Sequence, residues 1–257
     1  MEVRDILERL AKGMINVEDA QKMLSLHSIE YVEDLARLDV GRETRRGMPE
    51  VVFGESKSYS DLVKIVNTSL KRKGSVIISR INNDHMSKLK KFLRNKGKIV
   101  ASERAKTLVV SRNGIRNTSG RVGIITAGTS DIAVAEEARL MAEAMGCKVM
   151  TSYDVGIAGM HRLFPVLKEM IANEVDAIVV VAGMEGALAS VVSAMVNVPV
   201  IGVPTSVGYG FGSDGFAALA SMLQSCTTGL AVMNIDNGIG AGALAGIIAN
   251  RVSRYKK

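Results

Sequence analysis

The stretch GVPTSVGYGFGSDGFAALASMLQSCTTGLAVMNIDNGIGAG, residues 202–242, decides how the rest of the chain is read. It gathers Gly208, Gly210, Gly212 and Gly215 in one loop and predicts a helix over 214–225. Cys226 follows that helix, and a second glycine run surrounds Asn237. Glycine loses more backbone entropy on folding than any other residue, so such runs between apolar segments mark places where something approaches the main chain closely. The stretch reads as one wall of a ligand site.

Working outward, residues 119–257 alternate strand, loop and helix. Strands are predicted at 122–126, 149–151, 176–182 and 199–203, with helices over 132–145, 163–173 and 243–254 and another entered through GMEGALASVVSAM. Alternation of this kind calls for right-handed crossovers and a parallel sheet with helices on both faces, an α/β fold. Ligands of such sheets sit beyond the carboxyl ends of the strands, so the loops after Thr126, Thr151, Ala182 and Val203 are expected to line one mouth. No charged residue falls between Gly186 and Ser213. Pro199, Pro204 and repeated glycines divide that span at strand-like lengths, which favours a buried strand over a membrane segment.

Residues 1–118 have a different character, a smaller basic α+β domain. They carry 24 Lys and Arg against 15 Asp and Glu, whereas 119–257 carry 9 against 11. Helices are expected after Met1, ending at Gly13, and after the cap Asn16. Strands are expected at 36–40 and 50–53, then a helix following Gly54, a strand at 75–81, a helix over 84–96 and a hairpin at 99–110. The basic charge attracts polyanions, but aromatic residues are scarce and no binding motif is evident, which disfavours nucleic acid. Arg42, Arg45, Arg46 and Lys57 read either as solvated turn charges or, for Arg42 and Arg45, as guanidiniums reaching a phosphate or carboxylate. Two cysteines, a charged amphipathic start without an apolar signal core and no membrane span point to a reducing, cytoplasmic setting.

The loops of the second region carry the candidate chemistry. In GTSD, residues 128–131, Gly128, Thr129, Ser130 and Asp131 open a helix, so backbone N–H groups and hydroxyls can hold a phosphate; simple helix capping is the competing reading. His161, beside Arg162, follows a glycine loop and reads as a ligand contact or as a structural histidine. Glu185, at a strand end, reads as acid, base or ligand, or as a first-turn carboxylate facing the helix dipole. No His, Cys, Asp and Glu cluster has metal-site spacing.

GTSD, AGMHRLFP and VVVAGMEGALASVVSAMVNVPVIGVP with the following glycine loop resemble the PurE-type aminoimidazole ribonucleotide carboxylases and mutases over residues 120 to about 250. Glu185 departs from the PurE pattern. That departure, the basic first region, RRGMPEVVFGESK and SCTTGLAVMNIDNGIGAG together resemble the LarB family over nearly the full length.

This resemblance implies carboxylation of the pyridinium ring of nicotinic acid adenine dinucleotide by carbon dioxide or bicarbonate. It also implies hydrolysis of the phosphoanhydride, giving pyridinium-3,5-biscarboxylic acid mononucleotide and AMP for the nickel-pincer cofactor. Cys226 would be the nucleophile, because a thiolate both adds to an electron-poor ring and leaves it again. Glu185 would remove the ring proton or activate water, and His161 and Arg162 would position the carboxylate or carbon dioxide. Ser130 and Asp131 would meet phosphate or ribose, with Gly128, Thr129, Asp154, Gly208 and Gly210 completing the substrate-binding set. No dedicated cofactor is implied, magnesium being a candidate partner of the diphosphate, and the likeness to PurE implies a homo-oligomer, an octamer. PurE-type chemistry on an aminoimidazole ribonucleotide, which needs no cysteine, and a non-catalytic nucleotide-binding regulator remain the alternatives.

Overall fold

The computed structural model describes residues 3–27, 29–32, 35–39, 41–115 and 117–256. They group into two compact units, one of residues 1–100 with 108–114 and one of residues 101–107 with 115–257.

The first unit opens with α1 (Val3–Ala11) and α2 (Val17–Leu24), the latter capped by Asn16, whose side chain accepts from Asp19 N at 2.8 Å. An antiparallel pair follows, β1 (Ile29–Val32) and β2 (Ala36–Asp39), of which only the second strand was expected; Val40 lies outside the described residues. GRETRRG is not a plain turn. It forms α3 (Arg42–Arg46), closed by Gly47 in the left-handed conformation. The guanidiniums singled out there are engaged inside this unit: Arg45 bonds Asp39 and, at 3.3 Å, the carbonyl of Ser25, and Arg42 pairs with Glu50 at 3.6 Å. Lys57 is half-buried at the turn after β3 (Val51–Phe53), its N–H donating to the Gly54 carbonyl at 3.3 Å. Then come α4 (Tyr59–Lys73), β4 (Ser75–Ser79), α5 (Asn83–Leu93), and β5 (Lys98–Ser102) with β6 (Thr107–Ser111), of which residues 101, 102 and 107 group with the second unit. The sheet order is β3-β4-β6-β5, with β3 and β4 parallel and β6 antiparallel to β4.

The second unit contains β7 (Arg121–Thr126), α6 (Ile132–Ala144), β8 (Lys148–Ser152), α7 (Leu163–Ala172), β9 (Ala177–Ala182), α8 (Ala187–Met195), β10 (Val200–Pro204), α9 (Phe216–Leu223), β11 (Leu230–Val232) and α10 (Gly238–Ser253). Its five strands are all parallel, in the order β11-β10-β9-β7-β8. The period-two pattern of strands sorts their side chains onto two faces. Val122, Ile124, Val179, Val181, Ile201 and Val203 pack with α6 and α10, whereas Ile125, Ile178, Val180 and Val200 pack with α7, α8 and α9. Both faces being covered explains why β9 is apolar at every position and fully buried. After β8 the chain crosses β7 to start β9, so the topology reverses between β7 and β9, and the mouth of a ligand site is expected outside their carboxyl ends.

Two helix starts in the second unit differ from the sequence reading by two residues or more. Asp214 takes a left-handed φ of 58°, so α9 starts at Phe216 instead of 214. The last helix starts at Gly238 instead of 243, because glycines read as loop are its contact surface: a Cβ on Gly238 or Gly242 would stand 2.1 or 2.3 Å from carbonyl oxygens of α6. Among the described residues no helix is long and apolar enough to cross a membrane.

Candidate active site

A cavity of about 470 Å³ lies at the topology reversal, bordered by the loops that follow β7, β8, β9 and β10. The mouth expected from the alternation of elements is therefore present in one chain.

Asp131 organises it. Its carboxylate is 4% exposed. It accepts from Gly128 N at 2.8 Å and from the Thr205 hydroxyl at 2.7 Å, with a further bond from the Gly183 backbone. One side chain thus ties together the ends of β7, β9 and β10. Burial pushes its pKa above the ordinary carboxylate value, the three hydrogen bonds pull it back, and the charge of Asp236 adds to the upward push. Asp236, left-handed at φ 56°, accepts from Ser206 N at 2.9 Å and donates its own N–H to Pro204 O, which fixes the loop beyond β11 to the end of β10. The capping reading of GTSD describes Asp131, whereas Ser130 is exposed and lines the cavity. Gly128 lines it too; Thr129 does not.

Loops crowd here because glycine lets them. A Cβ on Gly183 would meet the Val207 carbonyl oxygen at 2.1 Å, and one on Gly156 the Ala127 oxygen at 2.6 Å. Met184 at φ 54° and Gly186 at φ 66° bend the chain left-handed on either side of Glu185 and hold that exposed carboxylate on the cavity wall. Among non-glycine residues such backbone is uncommon and concentrates at functional sites. The remaining wall is largely apolar, from Ala127, Ile157, Ala158, Ala182 and Leu188, with Tyr209 at the rim. An apolar box with a few placed polar groups suits the flat ring of a small molecule.

The other candidates fall around this cavity or away from it. Gly208 lines it, and Gly210 is outside the lining. Arg162 pairs with Asp154 at 2.9 Å and also donates to Gly159 O, so the two brace the loop whose Gly156, Ile157 and Ala158 form one wall. His161 is exposed in the same turn and does not line the cavity. Cys226 is exposed, yet it is not at the mouth where it was expected. α9 carries the chain about 12 Å back along the sheet. Its neighbours Ser225, Thr228 and Gly229 bond Ser190 and Ser193 of α8 and Val200 at the start of β10. Cys147 is buried, and burial pushes its thiol up to about 11. Among the described residues no group of three His, Cys, Asp or Glu can hold a metal ion. Magnesium fits this donor set poorly: both oxygens of Asp131 are hydrogen-bonded, which leaves Glu185 as the one further carboxylate on the wall.

Thr205, Gly183, Gly156 and Asp236 escaped the sequence reading. Only their glycine or turn character was visible, because their partners lie far away in the chain, 74 residues away for Thr205.

A doubly wound parallel domain with a carboxylate-bearing cavity at its topological switch is the PurE architecture, and residues 121–257 match the AIR carboxylase family. Residues 29–112 match the LarB/PurE-like N-terminal domain, and the chain belongs to the LarB family, with a PurE-like C-terminal domain. It is 45% identical to an uncharacterized protein of Methanocaldococcus jannaschii over 250 residues, 96% of each chain. It is also 31% identical to a probable N5-carboxyaminoimidazole ribonucleotide mutase of Methanothermobacter thermautotrophicus, over 49% of this chain and 36% of that protein. These matches support a carboxylase-related function on a small nucleotide substrate.

Proposed function

We propose that this protein carboxylates the pyridinium ring of nicotinic acid adenine dinucleotide and hydrolyses its phosphoanhydride, releasing pyridinium-3,5-biscarboxylic acid mononucleotide and AMP for the nickel-pincer cofactor. The observation that carries the reading is Glu185, held on the wall of an apolar cavity at the switch point of a LarB-family chain. The ring is a poor nucleophile until a thiolate adds to it, which leaves an enamine whose β-carbon attacks carbon dioxide. The hydrogen on that carbon then departs as a proton, which Glu185 accepts in this reading. The freed electron pair restores the aromatic ring and expels the thiolate. The step is redox-neutral. Water closes the reaction by attacking the phosphoanhydride, with Ser130 available to hold phosphate oxygens.

Cys226 is the thiolate in this reading, and its distance from the mouth of its own chain requires a second copy to supply it. The sulfur is exposed, and Phe211, Phe216 and Leu223 around α9 leave apolar surface that self-association would cover. A homo-oligomer, octameric by likeness to PurE, is therefore part of the proposal.

One observation favours a second reading. The described lining of this cavity in a single chain has no thiol, which is what carboxylation or mutase chemistry on an electron-rich aminoimidazole ribonucleotide asks for. Incubation with nicotinic acid adenine dinucleotide and labelled bicarbonate, followed by mass spectrometry, separates them. Labelled mononucleotide and AMP are expected together from the unaltered protein and neither labelled product nor adduct from Cys226→Ala. Full turnover by that variant would remove the thiolate scheme.

A further inference from the structure

A second and larger cavity, of about 780 Å³, lies within the first unit, where the C-terminal ends of α4 and α5 meet the end of β6. Lys71, Arg72, Lys96 and Arg112 line it with the amides of Asn67, Asn95 and Asn113, and no carboxylate is among its described lining residues.

Basic side chains near helix C-termini often serve the helices themselves, through the dipole or the last carbonyls. Here backbone meets one end carbonyl of each helix and that of the cap after α4: Gly74 N bonds Leu70 O at 3.1 Å, Lys96 N bonds Leu93 O at 2.8 Å, and Arg112 N bonds Gly74 O at 2.7 Å. Two helix ends of about half a negative charge each offset about a quarter of four cations. Arg72 is further balanced by Glu30 at 2.9 Å, and Lys96 rests on Asn67 and over the Phe92 ring. Among the described residues the side chains of Lys71 and Arg112 make no hydrogen bond or ion pair. Like charges brought into one concavity raise each other's energy, and an anion between them removes that cost.

We propose that this cavity, whose lining shares no residue with that of the cavity at the strand ends, binds the diphosphate group of a small molecule. A diphosphate matches several cations on different elements at once, and the Arg112 guanidinium can grip one phosphate with two N–H bonds. No aromatic ring is among its described lining residues, so the phosphates and not a stacked base are what it recognises, which also argues against single-stranded nucleic acid.

The test is lysine acetylation footprinting of the full chain, read by mass spectrometry, with inorganic pyrophosphate, ADP, adenosine or a short oligonucleotide present. Pyrophosphate and ADP are expected to protect Lys71 and Lys96 saturably while Lys12 and Lys91 stay reactive. Adenosine is expected to protect neither. Lys71→Ala with Arg112→Ala should weaken pyrophosphate binding by about ten-fold or more, a loss of the size expected for charge-assisted hydrogen bonds. Lys12→Ala with Lys91→Ala removes the same charge from elsewhere on the surface and should change it by less than about two-fold. Equal weakening by both pairs would mean diffuse attraction and overturn the site, as would absence of protection, protection by adenosine, or tighter binding of the oligonucleotide than of pyrophosphate. Lys71 and Lys96 line this cavity and are absent from the lining of the cavity at the strand ends. Loss of protection in the Lys71→Ala, Arg112→Ala protein with carboxylation activity retained separates this proposal from the proposed function.

Discussion

Asp131 has almost no solvent and three hydrogen bonds from loops that would otherwise be independent. Its raised pKa means that the folded state favours the protonated acid. The stabilising effect of that preference is fully present below the unfolded pKa and disappears as pH rises through the folded one, so near neutrality the ionised group depends on its donors. Thr205, itself fully buried, provides the side-chain donor. Thr205→Val is expected to cost about 1–3 kcal/mol in urea denaturation, the range for a buried group left without its partner, and Thr205→Ser to recover most of it. Turnover should fall with the valine variant because the ends of β7 and β10 lose their common anchor. Glu185 has a different place, exposed on a left-handed turn after β9. The sequence reads Asp131 as a phosphate contact or a helix cap; the structure shows the cap, which Thr205 and Gly183 extend into a tie between strand ends.

At the scale of elements, α10 illustrates how a glycine run can mislead. Small residues let α10 lie close against α6, where side chains at four-residue spacing share one face. Gly242→Ala places a methyl about 2.3 Å from the Ala138 carbonyl oxygen, and backbone there cannot give way cheaply. A loss of about 1–3 kcal/mol is expected in the denaturation midpoint, in contrast to the stabilisation that Gly→Ala brings to an open helix position. On α6 itself, Glu136 bonds Arg139, Tyr153 and Ser102. The Arg139 bond foremost holds Glu136 down, from 4.5 to about 2, despite the opposing effect of burial. A depressed carboxylate stabilises above the unfolded pKa and ceases to as pH falls through the folded one. Replacing Glu136 with Gln should therefore lower stability at pH 7 by about 1–2 kcal/mol, after allowance for solvent screening, and by progressively less between pH 4.5 and 2. Denaturation midpoints measured across that range check the sign.

At the scale of the molecule, the proposed chemistry divides between two places: a carboxylate at the strand ends and a sulfur about a helix length away. If neighbouring copies complete each other, Glu185→Gln and Cys226→Ala will each be inactive alone. Co-expressed and co-purified, they should regain about a quarter of the normal rate, since random mixing leaves a quarter of sites with both groups intact. Recovery is read in the labelled bicarbonate assay, and none would mean that both groups must come from one chain.

The sequence by itself determined the alternation of strands and helices, the parallel character of the second unit and the four loops around its mouth, because periodicity and turn chemistry are properties of near neighbours. Glu185 and Ser130 were legible for the same reason: each follows a recognisable strand end. Only the tertiary structure decided the order β11-β10-β9-β7-β8, the burial of Asp131 under Thr205 and the displacement of Cys226 from the mouth. Strands built from interchangeable valines, isoleucines and alanines do not name their partners. Pairing, crossover direction and helix return are set by packing between residues far apart in the chain, and those choices carry a side chain to a cavity or away from it.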